Sequence, residues 1–206
     1  MSDSTVYVVD DDAAVRDALS MLLEVAGHAV TTFGSALEFL DGFMPGTPGC
    51  VILDVDMPGM DGPALQQELI RRGVQLPVIF LSGKGTIPVT VRTIKSGAMD
   101  FLTKPVDRKV LLASVQKALE RSLLVQNRAE TFQAMALRLA ALTEREREVM
   151  KLAVAGQTNK EIGQRLGISY RTVEIHRTHV MHKSGATNLL ELARIADTFE
   201  SHQTPS

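Results

Sequence analysis

The stretch VILDVDMPGMDG, residues 51–62, begins as an apolar run and ends in carboxylates at positions 54, 56 and 61. An uninterrupted apolar run is typical of a strand that is buried on both faces of a parallel sheet. The proline and glycines that follow predict a turn directly after it. Acidic side chains placed where a buried strand leaves the core need either a counter-charge or a chemical role.

The strand in this stretch is one of five that recur along the first half of the chain. Short β-branched or aromatic runs alternate there with segments of helical periodicity, which predicts βα units. Because the runs are almost entirely apolar, we expect an α/β fold, a doubly wound five-stranded parallel sheet with helices on both faces. The predicted strands are 5–9, 28–33, 50–54, 77–82 and 99–103.

The strand pattern stops after about residue 106, and everything beyond it is predicted to be helical. Residues 110–142 form one long helical pattern, which we divide at residue 121. The predicted organisation is therefore an α/β domain over 1–121, a helical linker over 122–141, and an all-α domain of four short helices over 142–206.

The helices of the second domain are marked by their caps. Thr143, Thr158 and Asn188 each precede a glutamate by three residues, which is the pattern of a capping box. Helices over 159–166 and 170–183, joined through a glycine, have the spacing of a helix-turn-helix.

Composition and charge narrow the classes of function. The chain has 206 residues, 45% of them apolar, and a single cysteine, Cys50, at the head of an apolar run, which predicts core packing. The acidic N-terminus and the shortness of the apolar runs predict a cytoplasmic protein with no membrane partner.

The first 120 residues hold 15 acidic and 10 basic residues, whereas 151–190 hold six basic and two acidic, which indicates two different partners.

Polar residues follow several of the predicted strands and should meet at the carboxyl edge of the sheet. Carboxylates held close together repel each other unless a cation neutralises them, and an all-oxygen set with room for water suits Mg2+. A carboxylate beside such a cation, a lysine and a hydroxyl can accept a phosphoryl group. The converging residues are Asp10, Asp11, Asp12, Asp54, Ser82 and Lys104, of which Asp12 is expected instead to cap the following helix.

The motifs VVDDD, LDVDMPGMDG, FLSG and GAMDFLTKP together resemble the receiver domain of two-component response regulators, over about residues 3–121. The resemblance implies a flavodoxin-like fold and phosphorylation of Asp54 by a sensor histidine kinase. The implied Mg2+ ligands are Asp10, Asp11, Asp54 and the backbone carbonyl of Asp56, and the implied phosphoryl-binding and switch residues are Ser82, Lys104 and Phe101.

Two further expectations follow from this resemblance. Asp56 and Lys84 lie two residues after Asp54 and Ser82, at positions that flank the phosphoryl group in the family, so we expect them to pair and tune the phosphate lifetime. Phosphorylation is expected to produce a homodimer through a face that includes Val91, Lys95 and Asp100.

The segment LTEREREVMKLAVAGQTNKEIGQRLGISYRTVEIHRTHVMHKSGA resembles the LuxR-type helix-turn-helix, and the resemblance covers about residues 140–200. The domain order resembles the FixJ and NarL group of response regulators. The predicted partner is therefore double-stranded DNA. On the second helix, Glu174 could accept from cytosine and Ile175 could touch a thymine methyl group, whereas basic residues are expected on phosphates. The predicted DNA-binding residues are Lys160, Ser169, Arg171, Thr172, Glu174, Ile175, Arg177, Thr178 and Lys183. Gly163 and Ser184 depart from the family pattern, which predicts a less stable domain.

Other interpretations fit less of the sequence. The pair Asp54 and Asp56 resembles that of haloacid-dehalogenase-like phosphatases, but those enzymes carry it after the first strand, and here it follows the third. A degenerate receiver that binds DNA without phosphorylation would not need the full acidic set. The basic helix could be an ordinary solvated face. His176, His179 and His182 recur every three residues, but these positions drift around a helix, so a metal site is not expected.

Overall fold

The computed structural model describes residues 4–83 and 97–203. The chain divides into two compact units, Met1–Asn127 and Arg128–Ser206, called here the N-terminal and C-terminal units. The division lies inside one helix, Arg108–Ala140, which runs unbroken through most of the predicted linker. The predicted domain boundaries stay predictions.

The N-terminal unit is a five-stranded parallel sheet in the order β2-β1-β3-β4-β5. The predicted fold class is confirmed, and each predicted strand agrees with the observed one to within one residue. The strands are β1 Thr5–Val9, β2 Ala29–Phe33, β3 Gly49–Asp54, β4 Val78–Ser82 and β5 Asp100–Thr103. The described helices of this unit are α1 Ala13–Val25, α2 Ala36–Gly42, α3 Gly62–Arg71 and α4 Arg108–Ala140.

Two apolar cores cover the two faces of the sheet, because successive side chains of β3 point to opposite sides. Cys50 and Ile52 pack with residues of α1 and α4, whereas Val51 and Leu53 pack with residues of α2 and α3. Burial raises the pKa of the Cys50 thiol to about 12. The cysteine is therefore an inert core residue, as predicted.

The C-terminal unit is helical, and its helix-turn-helix is confirmed. Thr143 and Thr158 form complete capping boxes, whereas the Glu191 carboxylate accepts from the Thr187 N–H instead of returning to Asn188. Beyond the end of α4, its helices are α5 Glu144–Val154, α6 Asn159–Leu166, α7 Tyr170–Ser184 and α8 Leu189–Gln203.

Gly163 of α6 lies against the turn between the two helices of this motif. A Cβ atom there would lie 2.8 Å from the carbonyl oxygen of Ile168. The Gly163 carbonyl oxygen accepts a hydrogen bond from the Ile168 N–H at 3.0 Å. The glycine therefore allows a close approach between helix and turn, and the expectation that this departure from the family pattern makes the domain less stable stays a prediction.

None of the helices in the described part of the chain combines the length and the apolar character that crossing a bilayer requires.

Candidate functional site

The ends of β1 and β3 and the residue after β5 meet at one edge of the sheet. Lys104 Nζ lies 2.6 Å from Asp10 Oδ2 and 2.5 Å from Asp54 Oδ1, so one ammonium bridges two carboxylates. The Asp10 and Asp54 side chains are only 2% and 8% exposed. The structure thus brings together three of the predicted site residues that lie 50 and 94 positions apart in sequence.

Backbone N–H groups orient both carboxylates. The Asp12 N–H donates to Asp10 Oδ1 at 3.0 Å, and the Asp56 N–H donates to Asp54 Oδ2 at 2.7 Å. Gly62, at the start of α3, passes so close to β3 that a Cβ atom would lie 2.2 Å from the Asp54 carbonyl oxygen. The turn after Asp54 therefore depends on a glycine, which sequence reasoning did not single out.

The electrostatics of this edge are unbalanced. Burial raises the pKa of Asp54, the Lys104 ammonium lowers it, and the Asp10 charge raises it further, so that the net direction is upward. Burial acts to lower the pKa of Lys104, but the two carboxylates outweigh burial and the pKa is raised. One positive charge facing two negative ones leaves a site that favours an additional cation.

Mg2+ in proteins binds oxygen donors, and this edge of the sheet offers several carboxylates. Across residues 4–83 and 97–203, no group of three or more His, Cys, Asp or Glu side chains is arranged to hold a metal. Asp10 and Asp54 supply two buried carboxylates, and Asp11 is exposed beside them. Because Mg2+ usually keeps several waters and takes one or two carboxylates, these residues fit an open, water-completed site.

Three further predicted residues of this edge differ in how far they are exposed to solvent. Ser82 is 1% exposed at the end of β4, and its carbonyl oxygen accepts from the Lys104 N–H at 2.8 Å. Phe101 is half-buried and packs against Phe80 with ring centroids 6.3 Å apart. Asp56 is exposed.

Two other expectations concern residues beside the site. Asp12 caps α1 by accepting from the Ala14 N–H at 2.9 Å, as predicted. Lys84, the proposed partner of Asp56, lies outside the described residues.

One contributor to this edge was missed from the sequence. Arg16 Nη1 donates to the Asp10 carbonyl oxygen at 2.6 Å and so holds the end of β1 from helix α1. The available signal was its place in the first turn of that helix, since helical side chains point back toward the N-terminus.

The predicted dimer face is described at one position only. Asp100 accepts from the Phe101 N–H through Oδ1 at 2.9 Å and from Ser114 Oγ through Oδ2 at 2.7 Å, so both oxygens are engaged within the unit. Val91 and Lys95 lie outside the described residues.

Helix α7 of the C-terminal unit has the two faces expected of a recognition helix. Val173 and Val180 are 0% and 2% exposed and lie in the core, while Ile175 on the opposite face is 46% exposed. Ser169 caps the helix by accepting from the Thr172 N–H at 3.1 Å. Exposed or half-exposed positions on the outer face also include Arg171, Glu174 and Thr178.

The predicted phosphate contacts fall into two groups. Lys160 and Arg171 are exposed, and Arg171 pairs weakly with Glu174 at 3.1 Å. In contrast, Arg177 donates to Asn159 Oδ1 at 2.8 Å, and Lys183 donates to Glu146 Oε2 at 2.7 Å. Sequence reasoning missed both acceptors because they lie on other helices, 18 and 37 positions away.

The histidines of α7 do not gather into a cluster among the described residues. His176 Nδ1 is buried and makes no hydrogen bond with any residue that the structure describes. His179 lies 3.5 Å from Glu146, and His182 is exposed.

Both units match known families. A model of the response regulator receiver domain matches residues 6–116, and a model of the bacterial regulatory proteins of the luxR family matches residues 140–196. The chain is 44% identical to the transcriptional regulatory protein FixJ of Azorhizobium caulinodans, over 93% of this chain and 90% of that protein. It is 43% identical to the transcriptional regulatory protein TdiR of Thauera aromatica, over 97% of this chain and 88% of that protein.

Solved structures give the same result. The response regulator StyR superposes with a TM-score of 0.89 at 38% identity, over 95% of this chain and 98% of that one. Full-length FixJ from B. japonicum superposes with a TM-score of 0.58 at 39% identity, over 98% of this chain and 99% of that one.

Proposed function

This chain belongs to the response regulators that join a receiver domain to a LuxR-type DNA-binding domain, and we propose that it is switched by phosphorylation of Asp54. The observation that carries the proposal is the Asp54 carboxylate, 8% exposed, oriented by a backbone N–H and bridged to Asp10 by Lys104. A sensor histidine kinase is the proposed phosphoryl donor, and transcription is the proposed output.

The chemistry assigned to these residues is nucleophilic attack. Asp54 Oδ1, the oxygen next to Lys104, attacks the phosphorus as the bond to the donor histidine nitrogen breaks. Lys104 then moves from the carboxylate to a phosphoryl oxygen, with Ser82 as a second donor. Movement of Ser82 allows Phe101 to turn inward. Apart from this self-catalysed transfer and the later hydrolysis of the aspartyl phosphate by water, which regenerates Asp54 and releases inorganic phosphate, no enzymatic activity is proposed.

Asp10, Asp11, Asp54 and the Asp56 carbonyl are the proposed Mg2+ ligands. When bound, Mg2+ offsets the negative charge that develops on the transferring phosphoryl oxygens. The two carboxylates of Asp10 and Asp54 beside the single Lys104 ammonium support this assignment, and burial, with the Asp10 charge, raises the pKa of Asp54. The proposed pairing of Asp56 with Lys84 over the phosphoryl group controls access of water.

The phosphorylated receiver is proposed to form a homodimer and to favour DNA binding by the C-terminal domain through a population shift. The exposed face of α7, including Glu174 and Ile175, reads bases, and Lys160 contacts a phosphate. A cytoplasmic location, where the DNA is, belongs to the same proposal.

Intact-mass spectrometry after incubation with Mg2+ and acetyl phosphate tests the acceptor. We expect one phosphoryl adduct on the wild type, none on Asp54→Asn, and an adduct on Asp41→Asn, the matched change at an exposed aspartate of α2. An adduct that persists in Asp54→Asn would contradict the assignment. Repeated turnover that releases phosphate without an adduct would favour the phosphatase interpretation.

Light scattering and duplex selection test the output. Phosphorylation should double the molar mass in solution. In selections from random duplexes, Glu174→Ala should change the preferred sequence, while Lys160→Ala should weaken binding to every sequence. An equal loss of affinity on every sequence for Glu174→Ala would contradict its role in base reading.

A further inference from the structure

Glu146 of α5 is a buried carboxylate directed at the recognition helix. Only 3% of the residue is exposed. Its Oε2 accepts from Lys183 Nζ at 2.7 Å and from the Thr143 N–H at 2.8 Å, and its Oε1 lies 3.5 Å from His179 Nδ1. The Lys183 hydrogen bond, with that of Thr143, holds the pKa of Glu146 at about 2. The carboxylate is therefore charged and fully partnered.

Lys183 is the second member of this pair. Its side chain is 35% exposed, and its ammonium is committed to Glu146. An ammonium has three N–H donors, so a DNA phosphate could reach Lys183 either by displacing Glu146 or by sharing the ammonium with it. Displacement leaves a buried carboxylate without its cation, which is strongly destabilising. Sharing places two anions on one ammonium, so neither route favours a phosphate contact.

The position of the pair on α7 suggests what it does. Recognition helices meet base edges with residues near their N-terminus. The Glu146–Lys183 contact lies near the C-terminal end of α7, and a second contact, Arg177 to Asn159, ties the middle of the helix to the start of α6. These two polar contacts, one to α5 and one to α6, fix the direction in which the base-contacting face of α7 projects.

We propose that Glu146 is a positioning residue for DNA binding and that Lys183 acts through it, without contacting a phosphate. This inference rests on the DNA-binding function proposed above. It separates Lys183 from Lys160, an exposed lysine of α6 that is expected to touch DNA directly.

Fluorescence anisotropy with a labelled random-sequence 30-base-pair duplex compares the two lysines over a series of salt concentrations. The full chain, treated with Mg2+ and acetyl phosphate, is used throughout. Lys160→Met should reduce the slope of log affinity against log salt by about 0.9, the value for one lost phosphate contact. Lys183→Met should lower the affinity and leave that slope unchanged.

A double-mutant cycle tests whether Lys183 acts through Glu146. Glu146→Gln keeps a residue that supports the capping box and removes the charge, and the double variant leaves no unpaired buried charge. We expect the double variant to lose no more affinity than the weaker-binding single variant. A reduced salt slope for Lys183→Met, with fold-losses that multiply in the double variant, would overturn the proposal.

Hydrogen exchange without DNA supplies an independent test. Amides of Tyr170–Ser184 should exchange at least about tenfold faster in Lys183→Met, since one tie of α7 is lost. Lys183→Arg, which keeps a cation, should restore protection. Exchange that stays at the wild-type rate in both Lys183→Met and Glu146→Gln would also overturn the proposal. Failure of the wild type to bind DNA would contradict only the proposed DNA-binding function.

Discussion

Two lysine–carboxylate clusters, one in each unit, show opposite electrostatic outcomes from the same chemical groups. At the sheet edge, Lys104 is shared by Asp10 and Asp54, and the pKa of Asp54 is raised. Beside the recognition helix, Lys183 pairs with Glu146 alone, and the pKa of that carboxyl is lowered to about 2. The pKa of Asp54 is raised chiefly by burial, and the second carboxylate at Lys104 adds to the rise, whereas the hydrogen bonds from Lys183 and Thr143 dominate the pKa of Glu146.

This difference agrees with the roles proposed for the two clusters, phosphorylation at the sheet edge and helix positioning beside α7. A carboxylate without a cation of its own is stabilised when a further cation binds or when its negative charge passes to the oxygens of a phosphoryl group. The sheet edge is therefore suited to phosphoryl transfer. A carboxylate that has its own cation and hydrogen-bond donors stays charged and stabilises the packing of the two helices that it connects. The comparison can be tested by removing one member of each cluster at a time.

Removal of Lys104 should have the largest effect. Lys104→Ala leaves Asp10 and Asp54 buried without a cation, so the free energy of unfolding of the N-terminal unit should fall by about 3 kcal/mol in EDTA. Urea unfolding can be followed through Tyr7 in a Tyr170→Phe background, since the chain has two tyrosines.

Lys109→Ala, at an exposed lysine of α4, is the matched control and should change little. Added Mg2+ should restore more stability to Lys104→Ala than to the wild type. Loss of less than about 1 kcal/mol in EDTA would show that the two carboxylates are not held in excess.

Gly62→Ala should come next. The added Cβ would lie 2.2 Å from the Asp54 carbonyl oxygen, so the turn or α3 must move, at a cost of about 1–3 kcal/mol. Phosphorylation of Asp54 should slow in the same variant. Gly83→Ala, where a Cβ would meet no atom of the described residues within 4 Å, is the control for the stability measurement. If Gly62→Ala behaved like Gly83→Ala, the close approach of Gly62 to Asp54 would not be needed for the site.

Glu146→Gln should lower the stability of the C-terminal unit by about 1.5 kcal/mol at neutral pH, through the loss of a charged hydrogen bond. Because the folded pKa of about 2 lies below the ordinary value of 4.5, this contribution is present above pH 4.5 and disappears as the pH falls toward 2. Unfolding curves between pH 7 and pH 2 should therefore converge for variant and wild type, and a constant difference would contradict the assignment.

Asp54→Asn should have the smallest effect on stability and the opposite sign. Because the folded pKa of Asp54 is raised, its charge destabilises the fold above that pKa, and the penalty disappears as the pH falls through it. In EDTA at neutral pH the variant should therefore be slightly more stable than the wild type. A less stable Asp54→Asn would remove the contrast between the two clusters.

Features that depend on neighbouring residues in the chain were predicted well. The strands agreed to within one residue, and α6 coincided with the predicted helix 159–166, because periodicity, caps and helix-ending glycines are local signals. The caps formed by Asp12, Thr143 and Ser169 follow from the same rules. The edge at which Asp54 and Lys104 meet was predictable because parallel strands end on one side.

Contacts between distant helices were not predictable in the same way. Glu146 was identified from the sequence only as part of a capping box, and its second role appears once α5 and α7 pack together. Arg16 and Gly62 escaped notice because their importance lies in an approach to a backbone carbonyl. No local pattern reports such distances.

The sequence by itself determined the elements, the parallel sheet, the helix-turn-helix and the set of acidic, hydroxyl and basic residues available for chemistry. Only the tertiary structure decided how the charges are shared, two carboxylates to Lys104 and one to Lys183. The physical reason is that the energy of a charge depends on its burial and on neighbours that are 37 to 94 positions away in the chain. The same chemical groups, a lysine ammonium and carboxylates, are thereby arranged as a proposed phosphorylation site in one unit and as a proposed structural contact in the other.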